Sequence, residues 1–195
     1  ELERIDANSY FVVAGFATQT LRLGQPQGEV PVALPLIDYR RRISEPLLGG
    51  TVTLRGNTLG ILREDGQDTQ RGFASAQWNL RRVTGLGQVV ELTALARGDI
   101  YNTNNSAATT VASYRGREGW QGRAIGLAAI DVSWPLVGPI FGGTQVLTPR
   151  IQVVGTPPIR NAAIPNEDSR SIDLEDVNLF SLNRFPGDDR FEDGA

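Results

Sequence analysis

Arg71-Gly72-Phe73-Ala74-Ser75-Ala76-Gln77-Trp78-Asn79-Leu80-Arg81-Arg82 is the stretch that decides the fold. Ala74, Ala76, Trp78 and Leu80 occupy every second position, with Ser75, Gln77, Asn79 and Arg81 between them. A two-residue period places these sets on opposite faces of an extended strand. After a Thr84-Gly85-Leu86-Gly87 turn the pattern returns over 88–101, where Val90, Leu92, Ala94, Ala96 and Ile100 oppose Glu91, Thr93, Arg97 and Asp99.

The same reading extends in both directions. Downstream, 123–134 sets Ala128, Ile130, Val132 and Trp134 against Ala129, Asp131 and Ser133. The segment 144–154 sets Leu147, Pro149, Ile151 and Val153 against Thr148, Arg150 and Gln152. Upstream, 51–63 and 32–43 read as strands, and so does 5–20, which is apolar on both faces and rich in β-branched and aromatic residues. Seven strands of roughly 10–13 residues over 5–154 exceed the usual length of about 5–6 in globular sheets. Long polar connections (21–31, 64–70, 102–121, 155–171) alternate with short ones near 49–50, 85–87 and 138–143. Long loops on one rim and short turns on the other are the habit of outer-membrane barrels.

A soluble sandwich also alternates, with its apolar face as the core. Strand length, the two-rim pattern and the small Ala74, Ala76, Ala94, Ala96 and Ala128 tilt the reading to a barrel, because lipid-facing side chains need only be apolar. Trp78 and Trp134 near strand ends suit an interfacial girdle. The expected fold class is all-β: an antiparallel meander of long strands, a curved open segment of a large transmembrane β-barrel. Seven strands do not close a barrel of even strand number, so 1–195 is expected to be a single partial domain from the middle of a larger barrel. Within it, the strands are followed by a long loop and motif segment at 155–195.

Composition narrows the chemistry. The 195 residues contain no Cys, Met or His, and all 19 basic residues are Arg. Thiolate chemistry, disulfides and the commonest general base and metal ligand are therefore missing from this stretch. The net charge of −3 speaks against nucleic acid as a partner. No apolar run approaches the ~18 residues of a membrane helix. A start at Glu-Leu-Glu-Arg without Met suggests processing or a fragment. Glu91 with Asp99 or Asp131 could form a glycosidase pair, although no spacing favours it over a charged lumen or a solvated face. No Gly-rich phosphate loop is present, and no catalytic residue or cofactor is expected. The Arg40-Arg41-Arg42 run reads as a rim or solvated patch, with anionic headgroups as the functional alternative.

The last stretch has its own character. Residues 164–193 carry nine of the 22 acidic residues and only three of the 19 basic ones. Asp168, Asp173, Glu175, Asp176, Asp188, Asp189 and Asp193 include possible oxygen ligands for Ca²⁺, but the EF-hand spacing is absent.

Its residue order resembles a known family. Leu147-Thr148-Pro149-Arg150, Ile164-Pro165-Asn166-Glu167-Asp168-Ser169, Asn178-Leu179-Phe180 and Asn183-Arg184-Phe185-Pro186-Gly187-Asp188-Asp189-Arg190 resemble the barrel domain of LptD, the lipopolysaccharide-assembly (organic solvent tolerance) proteins. Leu34-Pro35-Leu36-Ile37-Asp38-Tyr39-Arg40, Gly49-Gly50 and Ser133-Trp134-Pro135 add weaker support in the family's order. Asp188 departs from the aromatic that many members carry before the Asp-Arg pair.

The resemblance implies a very large barrel in the outer membrane of a Gram-negative bacterium. A periplasmic jellyroll would receive lipopolysaccharide from periplasmic bridge proteins. The lipid would leave through a lateral gate, helped by a plug lipoprotein in the lumen. The family's jellyroll, cysteines and gate strands are expected to lie outside this segment, which would not transport alone. Arg81, Glu91, Arg97, Asp99, Asp131, Arg150 and Gln152 are the expected lumen-facing residues. The family-motif loop is Pro165, Asn166, Glu167, Asp168, Asn178, Leu179, Phe180, Arg184, Phe185, Asp189 and Arg190. It is expected on the extracellular side or folded into the lumen, with Asp and Asn closing turns and Phe180 and Phe185 as anchors. The competing functions are another outer-membrane barrel (porin or transporter) and a soluble β-sandwich module for carbohydrate. An outer-membrane lipase would need a Ser/His pair that this sequence lacks.

Overall fold

Strand pairing follows the alternation. The structure, a computed structural model, describes residues 1–192 apart from 22, 23, 25, 47, 110 and 170–172. Its ten strands among the described residues are β1 Leu2–Asp6, β2 Ser9–Ala17, β3 Val32–Ser44, β4 Thr51–Leu62, β5 Asp68–Val83, β6 Val89–Asn104, β7 Gly119–Ser133, β8 Leu136–Ile140, β9 Gly143–Leu147 and β10 Arg150–Gly155. Eight form one antiparallel sheet in the order β1-β2-β3-β4-β5-β6-β7-β10, so β1 and β10 are its edges. β8 and β9 form a separate two-stranded hairpin. The fold is all-β and antiparallel, an open section of barrel wall.

Two expected segments are divided. The first is a hairpin: Ala7-Asn8 turns between β1 and β2, with Asp6 opposite Ser9. Its apolar residues on both faces hid the reversal. The last breaks at Thr148-Pro149: β9 pairs with β8, while β10 pairs with β7. Proline has no N–H for a ladder, and the Pro149 carbonyl instead accepts from the Trp134 N–H at 2.9 Å.

The register sorts the connections by rim. Turns 7–8, 45–50 and 84–88 and the β8–β9 hairpin lie at one end of the strands. Connections 18–31, 63–67 and 105–118 lie at the other, where 156–192 also begins. The loop before β7 is closed by Glu118, which accepts from the Ser106 hydroxyl at 2.6 Å and from the Asn105 and Ser106 N–H groups. Those donors, the Ser106 hydroxyl first, hold its carboxyl below the ordinary value.

The chain after β10 returns across one face of the sheet, so the two faces differ. On the bare face lie Ala74, Ala76, Ala94, Ala96, Ile100 and Ile130, with Ile151 and Val153 continuing it on β10. Ile100, Ile130, Ile151 and Val153 are exposed. All three tryptophans share this face's phase: Trp78 and Trp134 towards the short-turn end, and Trp120 at the long-loop end. The packed core sits on the other face. There Ile125 and Leu127 of β7 meet Ile159 and Phe191 of the returning segment, with Leu95, Ala129 and Leu182 at the edge.

Candidate functional site

Cross-strand register builds the covered face row by row. Asp38, Asn57, Phe73, Asp99 and Arg123 lie directly opposite one another along five strands. The next row holds Arg40, Arg55, Ser75, Arg97 and Ile125. Arg71 and Tyr101 are opposite one another on the far side of the first row. Like charges placed side by side repel, and five arginines here meet only two sheet carboxylates. The returning segment brings Asp168, Asp188 and Asp189, so the named charges balance.

The ion pairs are close. Arg55 is bidentate to Asp188 at 2.8 and 3.0 Å and also donates to Asp38. Arg97 bonds Asp99 at 2.5 Å and Asp188 at 3.1 Å, and Arg123 bonds Asp99 at 2.6 Å. Arg123 also donates to the carbonyls of Asp188 and Asp189. Arg97 stacks 3.7 Å over the Phe73 ring, which Arg55 flanks at 5.0 Å. Planar guanidinium groups suit such stacked, forked contacts.

Asp189 is the centre. Its Oδ1 accepts from Arg71 at 2.6 Å and from the Tyr101 hydroxyl at 3.2 Å, and its Oδ2 accepts from the Glu167 and Asp168 N–H groups at 2.7 and 3.2 Å. Asp168 in turn takes Arg71 at 2.6 Å and the N–H groups of Asp188 and Asp189. Burial opposes ionisation of Asp168, but Arg71 and these N–H groups outweigh it and lower its carboxyl below the ordinary value. Gly187 makes the approach possible. Its φ is +80°, and a Cβ there would strike the Asp168 carboxylate, with Cγ at 2.6 Å.

The other motif residues are placed as follows. Pro165 is fully buried. Asn166 accepts from the Ser169 N–H and donates to its carbonyl, and Asn178 does the same between Glu175 and Asp173. Glu167 accepts from Arg63, Gln67 and Thr69. Phe180 lies 4.2 Å beneath Arg150, Arg184 pairs with Glu192, and Arg190 donates to the Ile164 carbonyl at 2.9 Å. Phe185 is half-buried and Leu179 exposed.

Of the expected lumen-facing set, all seven fall on the covered face by register, and they divide. Arg97 and Asp99 lie under the returning segment, their charges taken by it and by Arg123. Arg81, Glu91, Asp131 and Gln152 form one row across β5, β6, β7 and β10, nearer the short-turn rim. Asp131 there holds Arg150 at 2.8 Å and Gln152 at 3.1 Å. As a glycosidase pair Glu91 and Asp131 are poorly suited, since Asp131 is already committed to a guanidinium. The Arg40-Arg41-Arg42 run is not one patch: Arg40 pairs with Asp38 on the covered face and Arg41 points to the bare one.

Sequence reasoning missed Arg55, Arg63, Arg71, Arg123, Asp38, Tyr101 and Gln67. Arg71 is in phase with Ser75 and Gln77, and Arg123 with Asp131, so their face was readable. Their partners in the returning segment, 38 to 118 positions away, were not. Among the described residues no three His, Cys, Asp or Glu side chains are grouped to hold a metal ion. The carboxylates named as Ca²⁺ candidates include Asp168, Asp188 and Asp189, which face arginines, and Asp193, which lies outside the described residues.

The family model described as LptD, LPS transport system D, matches residues 1–195. No curated protein matches the chain.

Proposed function

The chain belongs to the LptD family, and from that we propose that it forms part of the wall of the outer-membrane translocon that inserts lipopolysaccharide into the outer leaflet. At family level the role is lipopolysaccharide transport, not a chemical reaction, in an outer-membrane β-barrel. We assign the bare face to lipid and the covered face to the lumen. The short-turn rim then faces the periplasm, as in other barrels of this kind.

The observation that carries the proposal is the polar row Arg81, Glu91, Asp131 and Gln152, joined by Arg150, at the short-turn half of the covered face and opposite an exposed apolar one. Phe180 of the returning segment caps its β10 end, stacking on Arg150 and accepting from Gln152 at 3.1 Å. Guanidinium and carboxylate groups side by side can exchange partners with the phosphates and hydroxyls of a glycolipid. The returning segment closes the other half of that face, so passage is confined to the half that holds this row. The partners are lipopolysaccharide, and through the complete protein the plug lipoprotein and the periplasmic bridge.

The test is a charge reversal, Glu91→Arg with Asp131→Arg, in the full-length protein in its host. Surface lipopolysaccharide should fall while the amount of folded barrel is unchanged. Normal surface lipopolysaccharide in that variant would remove the row from the pathway. Normal surface lipopolysaccharide after depletion of the whole protein would remove the function.

A further inference from the structure

The hairpin β8–β9 stands outside the eight-stranded sheet, and its large apolar side chains are exposed. From Val132 to Pro149 the chain carries no charged residue, although a fifth of the whole is charged. Both of the hairpin's faces carry exposed apolar side chains, with Gln145 the polar residue of one and Thr144 that of the other. Leu136 and Leu147 are opposite on one, Val137 and Val146 on the other, and all four are exposed. An isolated two-stranded hairpin is marginal in water, and this one has no charged side chain to hold it there.

Its tip is costly in a way that water would not justify. Ile140 pairs with Gly143, so Phe141-Gly142 is a two-residue turn, and both residues have positive φ, +47° and +80°. Asn-Gly or Asp-Gly is the usual sequence for such a turn. A phenylalanine in the left-handed region costs about 1–2 kcal/mol, and this one is fully exposed at 101%. Backbone strain that persists where an easier residue exists points to use of the side chain.

We propose that the hairpin 136–147 inserts into the phospholipid leaflet beneath the barrel rim, with Phe141 as its deepest anchor. This rests on the assignment of the bare face to lipid. The occupant follows from continuity: Ile130 of β7, Trp134 just beyond it, and Ile151 and Val153 of β10 are exposed in the bare face's phase and lead towards the hairpin, while the neighbouring charges Asp131 and Arg150 fall on the covered face. Trp134 at its base is the residue type that settles at a membrane interface. The hairpin thereby extends the lipid-facing wall past the ends of β7 and β10 and fixes the depth of that rim.

The experiment is photocrosslinking of the full-length protein in its native outer membrane. Benzoylphenylalanine replaces Phe141 in one variant and Val137 in a second, so that failure of one to fold leaves the other. Ile130 and Ile151 are replaced as controls on the strand bodies. The excited ketone abstracts hydrogen from nearby C–H bonds and is inert towards water. The expected result is a phospholipid adduct, read as a mass increment, at both hairpin positions and both controls. A protein adduct at 137 and 141, or no adduct there, with lipid adducts at 130 and 151, overturns the hairpin proposal and leaves the wall assignment standing. Absence of lipid adducts at all four positions overturns both.

Discussion

Asp189 shows how one carboxylate holds an entire segment. Four donors converge on it: Arg71, Tyr101 and the N–H groups of Glu167 and Asp168. Removing one partner of a buried ion pair strands the other, at a cost of about 3–5 kcal/mol. Asp189→Ala should therefore free the segment 156–192, seen as protease cleavage there in outer-membrane vesicles. Cleavage equal to wild type would show that the apolar contacts of Ile159 and Phe191 suffice. Gly187→Ala should act on the same readout by another route. It forces an L side chain into φ +80°, worth about 1–2 kcal/mol, and pushes it against Asp168. Glu118 gives a pH dependence. Its folded carboxyl lies below the ordinary 4.5, so its contribution is complete above that value and is lost as pH falls through the lower folded one. The protection of the Asn105 and Ser106 amides, taken relative to their intrinsic exchange rate at each pH, should fall below about pH 4.5 in the wild type, and Glu118→Gln should lack it at neutral pH. Identical exchange in the variant would show that the loop is closed by other contacts.

Elements were legible where the physics is local. Ala74 to Arg81 and Val90 to Asp99 alternate cleanly because the two sides of each strand differ in polarity, and β5 and β6 follow that reading. The β1–β2 reversal was not legible, since Ala7-Asn8 lacks a glycine or proline and both flanks are apolar. Nor was the break at Thr148-Pro149, because Leu147, Pro149, Ile151 and Val153 keep a period of two straight through it. The returning segment could be recognised by its residue order, but its position depends on pairs such as Arg55 with Asp188, which no local pattern encodes. Asp188, the departure from the family's aromatic, is matched here by Arg55 and Arg97. One contact fixes an element end: the Trp78 indole donates to the Gly49 carbonyl at 2.8 Å, tying β5 to the turn before β4. Trp78→Phe should cost about 0.5–1.5 kcal/mol and loosen that turn, read as faster exchange of the Glu45 amide, which bonds the Gly50 carbonyl.

At the scale of the whole molecule the apolar surface lies outside and the packed core lies beneath a polar strap, which inverts a soluble sandwich. Insertion experiments should separate the faces. Ala96→Arg, midway along β6 on the bare face, should destabilise folding into lipid vesicles by about 2–4 kcal/mol, whereas Gln77→Arg on the opposite face should cost far less. Denaturant titration of the full-length protein in vesicles measures both, and equal costs would argue against a bilayer on the bare face. The pairing of the covered face has a consequence for traffic. Its upper half matches five guanidinium groups with five carboxylates, and its lower half sets Arg81 and Arg150 against Glu91 and Asp131. Such a lining has local dipoles but little net potential. On the proposed path, a polyanionic sugar passing the lower half would be handed from one partner to the next without being drawn into a deep electrostatic well, so release at the far end would need no large force.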